Sequence, residues 1–423
     1  MTVSSDAARP DRALFCLVAD CLAAAVAVAL PWSTSVTSVC IVLWLVALFP
    51  VLDLAAIKRE VLTPAGGLPV VLWGLGAMGM LWADVGWAER LGGFSSFQRL
   101  LVIPLLLAQF RGSDRGAWVA WAFLASSILV LLVSFGLILT PGLSWRGKYL
   151  GVPVHDYLYQ DSAFLICGFG ALGCALDKSV WPHRLAAVGL ALVGALFIVN
   201  FAFSEIGRAT LLVAPVLVVL LGWHLARWKG LLTACVGAIA VGAALWLGSA
   251  NLRARVQSSI GEAREYISTN DASSIGQHIA FLKESLAIVQ LAPILGHGTG
   301  SIGEEFRQVT AGGSGASAVE TVNPHDQTFA VAIQIGLVGA LALWAMWFAH
   351  LLLFRGAGMA AWLGTVVVVE NVVSSTVHTH LFDFSNGWLY VFGVGVLGGT
   401  VLHERAGAVV ADAKKNSGLF RSG

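Results

Sequence analysis

Charge is what this sequence lacks most: Asp, Glu, Lys and Arg together make up 12% of its 423 residues, against 57% for the hydrophobic set. A soluble globular domain carries roughly a quarter charged residues, so a chain this poor in charge, with a mean hydropathy of +0.81, has lipid as its solvent. Neither sign is in excess. The formal net charge of +1 and the want of a basic stripe exclude nucleic acid as a partner, because neutralising phosphates takes clustered Lys and Arg. Cysteine supplies no framework: Cys16, Cys21, Cys40, Cys167, Cys174 and Cys235 all stand inside apolar runs, without metal-ligand spacing to histidine, and read as packing residues. The apolar runs also lack the alternation of barrel strands. Hydrocarbon leaves only helices or closed barrels to satisfy every backbone amide, so the chain crosses as helices.

What is present is a succession of continuous apolar runs of roughly 15 to 25 residues, the length a helix needs to span the hydrocarbon core. They fall at residues 13–30, 36–57, 67–82, 98–110, 117–139, 161–176, 185–203, 208–226, 230–248, 325–352, 358–377 and 387–402. This predicts an all-α polytopic membrane bundle of about 12 transmembrane helices, a single membrane domain over residues 1–423. Arg9 and Arg12 ahead of the first run resemble the start of a signal peptide. No clean small-residue cleavage site follows and Pro31-Trp32 closes the run, so a retained first span is expected. Lys and Arg then report sidedness. One set of alternate connections holds Arg9/Arg12, Lys58/Arg59, Arg111/Arg115, Lys178/Arg184, Arg227/Lys229, Arg355 and Arg405/Lys414/Lys415, while the other short connections hold chiefly Arg90, Arg146, Lys148 and Arg208. By the positive-inside rule both termini are cytoplasmic.

One connection stands apart. Residues 249–324 form a long loop on the extracytoplasmic side, and loops of that length are functional or disordered. Val256, Ile260, Ala263 and Ile267 recur at helical spacing, as do Phe281, Leu282, Leu286 and Val289, so two amphipathic, interfacial helices are expected within it. A glycine-rich stretch, Gly296-His297-Gly298-Thr299-Gly300-Ser301, follows Pro293. It has neither the βα context nor the Walker spacing of a nucleotide loop and reads as a flexible turn.

Ionisable residues gather at this same face. Asn323-Pro324-His325-Asp326-Gln327 opens the run 325–352; Asn323 or Asp326 suits a helix cap, but capping leaves His325 unexplained. An imidazole with an ordinary pKa of about 6.5 at a membrane interface is suited to proton transfer. Arg208, at the start of its span in Ser204-Glu205-Ile206-Gly207-Arg208, either snorkels or offers a planar cationic fork for phosphate. Arg146 and Lys148 are weaker candidates for the same work, with solvated loop charges as the alternative. His378, His380 and Asp383 join the last two spans. Charges so close to hydrocarbon are functional or expensive, yet the spacing is not that of a helical zinc pair, and no metal is expected. His278 reads as a supporting residue or a solvated helix face, and Asp20, Asp53 and Glu370 stand within or beside apolar runs.

Several of these motifs together resemble the O-antigen ligase family, polytopic glycosyltransferases related to O-antigen polymerases. Residues 204–212 resemble the family's Ser-Arg-Gly/Ala segment, and residues 293–301 its Pro-x-x-Gly-x-Gly-x-Gly stretch. Residues 323–327, continuing to Gly336-Leu337-Val338-Gly339, resemble its His-Asn-x-x-Leu and Gly-x-x-Gly. Residues 380–384 resemble a segment that favours ligases over polymerases. Asp326 departs from the family's asparagine, and Gln277-His278 stand where many relatives carry arginine, so Arg146 or Arg264 would have to supply any second charge. The resemblance implies an undecaprenyl-pyrophosphate-linked glycan as donor, a sugar hydroxyl of lipid A-core as acceptor, membrane lipids as surroundings, no cofactor, and a periplasmic site in the bacterial inner membrane.

Residue chemistry alone gives a compatible mechanism. Transfer from a lipid pyrophosphate needs a base for the acceptor oxygen and positive charge for the leaving group. His325 is the base, Arg208 with Arg146 or Lys148 holds the pyrophosphate, and Asp326 or Asp383 orients the imidazole or the acceptor, with Asn323, His380 and His278 in support. An O-antigen polymerase or a protein O-oligosaccharyltransferase would use the same donor, though no large extracytoplasmic C-terminal domain follows to suit the latter. A secondary transporter of a lipid or anionic solute is the alternative from another class. It would place its charges along the midplane and show inverted repeats, and no internal repeat is visible.

Overall fold

The computed structural model describes residues 10–140, 142, 149–154, 156–177, 183–205, 207–248 and 250–419. Every element among them is helical. The first half comprises α1 (Pro10–Ala29), α2 (Thr34–Leu48), α3 (Leu54–Val61), α4 (Pro64–Gly79), α5 (Trp87–Gln98), α6 (Val102–Arg111), α7 (Gly116–Leu139) and α8 (Tyr157–Leu176). The second comprises α9 (Arg184–Asn200), α10 (Arg208–Gly248), α11 (Ala250–Thr269), α12 (Ser274–Leu291), α13 (Ile302–Thr310), α14 (Gln327–Leu353), α15 (Met359–Ser374) and α16 (Phe384–Leu419). Polar side chains start many of them: Ser33, Asp53, Thr63, Asp156, Ser273 and Asp326 each accept a hydrogen bond from a first-turn amide.

Among the described residues eight helices are long and apolar enough to cross a membrane, or nine if the pair α3 and α4, bent by 85°, counts as one broken span. That is fewer than the dozen expected. The difference lies in α9 and α15, which are apolar but short, and in α10, of which only Arg208–Thr233 qualifies. The long helix α10 is broken at Ala226 and Arg227, which have non-helical backbone angles, at the boundary read between the runs 208–226 and 230–248. The two loop helices are present as α11 and α12, with α13 as a short third.

The most buried spans are α8, α16 and α14. On α16, Gly395, Gly398 and Gly399 meet Leu106, Leu107 and Phe110 of α6 so closely that an added Cβ would stand within 2.7 Å of them. Small residues of this kind let helices in lipid pack backbone against backbone. At the end of the bundle far from the N-terminus of α14, basic residues find fixed partners. Arg111 donates to the buried Glu60 at 3.0 Å, and Arg405 to the carbonyl of Leu353, in the last turn of α14, at 2.8 Å. Asp20 is satisfied there by Gln109 and Ser113, both at 2.8 Å, and by Arg115 at 3.3 Å. Asp53 caps α3, so neither aspartate is an unpaired charge within the bundle.

The glycine-rich stretch is packed rather than free. Helix α14 breaks at Gly336 (φ 66°, ψ −165°), which leaves carbonyls of the preceding turn without helical partners. The amides of His297 and Gly298 donate to the carbonyls of Ile333 and Gln334 at 2.8 and 2.9 Å, and Leu337 N–H reaches back to Pro293 at 2.8 Å. A Cβ on Gly296 would stand 2.6 Å from the α14 backbone, and one on Gly336 would stand 2.1 Å from the Ile294 carbonyl. The break and the glycines are therefore one device that docks the loop onto α14 between Ile333 and Gly336.

Candidate active site

His325 sits in a left-handed conformation (φ 56°), uncommon for a residue with a side chain. Two neighbours fix it. The Asn323 carboxamide oxygen accepts the His325 amide at 2.9 Å and the Thr379 hydroxyl at 3.1 Å. Gln327 then ties the start of α14 to the connection after α15: its amide donates to the Ser375 carbonyl at 2.8 Å and its side-chain oxygen accepts from Leu381 at 3.0 Å. Arg99 closes the same turn from α5's end, donating to the carbonyls of Phe382, Asp383 and Phe384. Two segments about fifty residues apart are thereby clamped together.

The clamp brings His325 to His378, with Nδ1 to Nδ1 at 3.4 Å and ring centroids 5.5 Å apart. Helix α12 supplies the third imidazole: His278 lies edge-on to His325 at 4.7 Å, and Phe281, one turn on, stacks on it at 5.8 Å. These three histidines and Arg208 open on one cavity of about 340 Å³, whose wall is otherwise largely apolar, with Leu211, Leu212, Leu282 and Val377. Burial lowers the pKa of all three imidazoles: His325 below its ordinary value, His278 to about 4, helped by the His325 and Arg208 charges, and His378 to about 3, helped by the neighbouring histidines. All three are neutral at pH 7, so His325 is available as a proton acceptor.

Arg208 is engaged. Its Nη2 donates to both oxygens of the Glu262 carboxylate of α11, at 2.9 and 3.1 Å, and its Nη1 to the Ser274 hydroxyl at 2.8 Å, while Nε is buried with no protein partner among the described residues. Burial alone would raise the Glu262 pKa, but hydrogen bonds from Ser258 and the Ile275 amide, with the Arg208 charge, hold it below the usual carboxylate value. The pair fastens the loop helices over the cavity.

The remaining predicted residues are placed elsewhere. Asp326 caps α14 through the Phe329 amide at 2.9 Å, and burial raises its pKa against that bond. Asp383 caps α16 through Asn386 at 2.8 Å and, with Asn323, faces a neighbouring cavity. His380 turns inward behind His378, 3.9 Å from the Glu370 carboxylate, which also accepts the Ser374 hydroxyl at 2.9 Å. Arg146 and Lys148 lie outside the described residues, and Arg264 does not line the cavity. The sequence offers His378 only as a metal ligand; among the described residues no group of three or more His, Cys, Asp or Glu side chains is disposed to hold a metal. Arg99 carried a signal too, as a charge inside an apolar stretch.

The fold and the site define a polytopic helical membrane protein that gathers three imidazoles and a guanidinium in one cavity at a helix end. Residues 190–345 match the family model for O-antigen ligase, a match over 156 of the 423 residues that supports membership of the O-antigen ligase family. The matched segment contains Arg208, His278, the glycine-rich stretch and His325, and stops short of His378. No curated protein matches the chain. The family supports a ligase- or polymerase-type role, with a lipid-linked glycan and a lipid acceptor as the general substrate classes.

Proposed function

We propose that this protein is an O-antigen ligase-like glycosyltransferase. In this reading it moves an undecaprenyl-pyrophosphate-linked O-antigen polysaccharide to a sugar hydroxyl of lipid A-core, at the periplasmic face of the bacterial inner membrane. The observation that carries the reading is the opening of His325 and Arg208 onto one cavity with an apolar wall. A pyrophosphate on a polyprenyl chain needs that combination: a cationic fork for the phosphates beside a surface for the first isoprene units. The clustering of paired basic residues at the opposite end of the bundle supports the periplasmic assignment.

The step is a single displacement. His325 donates its Nδ1 proton to His378 Nδ1, which leaves Nε2 with a lone pair for the acceptor hydroxyl. Nε2 takes that proton as the oxygen attacks the anomeric carbon, and the bond from that carbon to the pyrophosphate oxygen breaks. The electron pair leaves with the pyrophosphate, whose charge Arg208 meets after exchanging Glu262 for phosphate. Attack opposite the leaving group inverts the anomeric centre. His378 takes the orienting part considered for Asp326 and Asp383, and no metal is needed for the leaving-group charge.

The test is transfer of undecaprenyl-pyrophosphate-linked glycan to lipid A-core by the purified protein in detergent with EDTA, beside His325→Ala and Arg208→Ala at matched expression. Product from wild type that falls at least a hundredfold in both variants is expected. Undiminished transfer by His325→Ala would remove the base from the mechanism.

A further inference from the structure

A second cavity lies across the Asn323–Pro324 turn, and the mechanism above makes no use of it. It holds about 630 Å³, within the range of small-molecule sites. Pro324 lines both cavities, so the turn that presents His325 to the first is a wall of the second. Their chemistry differs in kind. The first carries Arg208 among neutral imidazoles and apolar side chains. The second is faced by the carboxylates of Asp84, Glu89, Glu304 and Asp383 and by the Asn323 amide, and its one arginine among the described lining, Arg307, is already paired with Glu304.

That charge distribution selects a ligand. An anion entering the second cavity meets like charge on several sides, so neither a pyrophosphate nor an acidic sugar suits it. Sugar hydroxyls do suit it, because ionised carboxylates accept strong hydrogen bonds from them and a carboxamide both accepts and donates. We infer that this cavity is the subsite for the terminal saccharide of the acceptor, an uncharged or amine-bearing sugar whose hydroxyl is delivered to His325 past the shared Pro324 wall. The inference rests on the glycosyl-transfer reading above.

Gly92 of α5 provides the handle. It lines the cavity, and a Cβ there would meet no atom within 4 Å, so a large side chain at this position enters the cavity and not the helix packing. The test uses the full-length protein in detergent with two readouts. Saturation-transfer NMR with dephosphorylated core oligosaccharide released from lipid A reports saccharide binding whether or not catalysis occurs. Steady-state transfer from an undecaprenyl-pyrophosphate-linked glycan gives a KM for each substrate. Gly92→Phe is compared with the double variant Asp84→Asn/Glu89→Gln, which keeps the space and removes charge, at matched unfolding midpoints. Saccharide binding at least tenfold weaker, an acceptor KM at least tenfold higher and a donor KM within twofold are expected in both. Wild-type binding that both variants lose upholds the subsite even if no transfer to lipid A-core is found, and only the functional reading then fails. Transfer with an unchanged acceptor KM in both variants overturns the subsite and leaves the function standing. A rise confined to the donor KM overturns it too, as does the absence of saturation transfer from wild type.

Discussion

His325 reaches the cavity because its backbone is held where a side chain seldom goes, and the Asn323 carboxamide stabilises that turn by accepting its amide. An αL conformation costs roughly 1–2 kcal/mol, which the fold retains at the residue that carries the chemistry. Its partner decides the tautomer. His378→Ala should lower kcat at least tenfold with both KM values nearly unchanged, and His378→Asn, whose oxygen stands close to the lost Nδ1, should recover part of it; equal loss in both variants would make His378 a packing residue. The pH profile follows from burial. Because burial lowers the folded-state pKa of His325 from 6.5, the free base persists further into acid, so the acid limb of kcat/KM should be centred below pH 6.5. An acid limb centred above 6.5 would contradict that environment. His325 and Arg208 were legible in the sequence because each is a charge or a titratable group at a span end. His378 was not, because alternate residues of the turn after α15 point to opposite sides, His378 to the cavity and His380 to Glu370, and sequence does not say which. Asp326 reads from sequence as a cap or as a carboxylate that orients the imidazole or the acceptor, and in the structure it caps α14.

At the scale of elements, the site depends on a helix that is broken on purpose. Gly336 lies in a backbone region open almost only to glycine, and a Cβ there would run into the Ile294 carbonyl. Gly336→Ala should therefore destabilise the protein by about 1–3 kcal/mol, or more if the loop cannot shift, and lower the thermal unfolding midpoint in detergent. Gly74→Ala in α4, where a Cβ meets nothing within 4 Å, should leave the midpoint unchanged or slightly raised. The clamp of α11 on Arg208 gives a second expectation. Glu262→Gln removes the competing carboxylate, so the donor KM should fall by about threefold while the loop helices become more accessible to protease. A donor KM that rises would mean that Glu262 holds the guanidinium in its working position. The apolar runs and the two loop helices were readable from hydropathy and spacing, and the break in α10 falls where Arg227 and Lys229 had marked a boundary. The third loop helix escaped because its nine residues, with Ile302, Phe306 and Val309 on one face, are fewer than a helical period needs to stand out in sequence. The docking of the glycine-rich stretch escaped because nothing in that stretch names its partner in α14.

For the whole molecule the open quantity is how many times the chain crosses, and sidedness decides what the site can meet. Length and hydropathy give eight or nine crossings among the described residues, while the basic connections fit about twelve, with α9, α15 and the second arm of α10 as the extra spans. Short spans are tolerable where neighbours bury them, and α15 lies between α8 and α16 with much of its surface covered. The two counts disagree about particular loops. In a variant whose six native cysteines are replaced, Ser314→Cys stands exposed in the loop that carries the site, and Arg355→Cys stands exposed at the far end of α14. If the site is periplasmic, a membrane-impermeant maleimide applied to spheroplasts should label the first and should label the second only after the membrane is opened. Cysteines placed at exposed Leu185, in the first turn of α9, and at exposed Phe203, just after it, then test that helix alone. Opposite labelling of the two makes α9 a crossing despite its length, because a helix of 17 residues rises about 25 Å and needs only modest thinning of the bilayer. Equal labelling would return α9 to one surface, break the alternation of basic connections from Arg184 onward, and require Arg208 and His325 to reach a common face by another path.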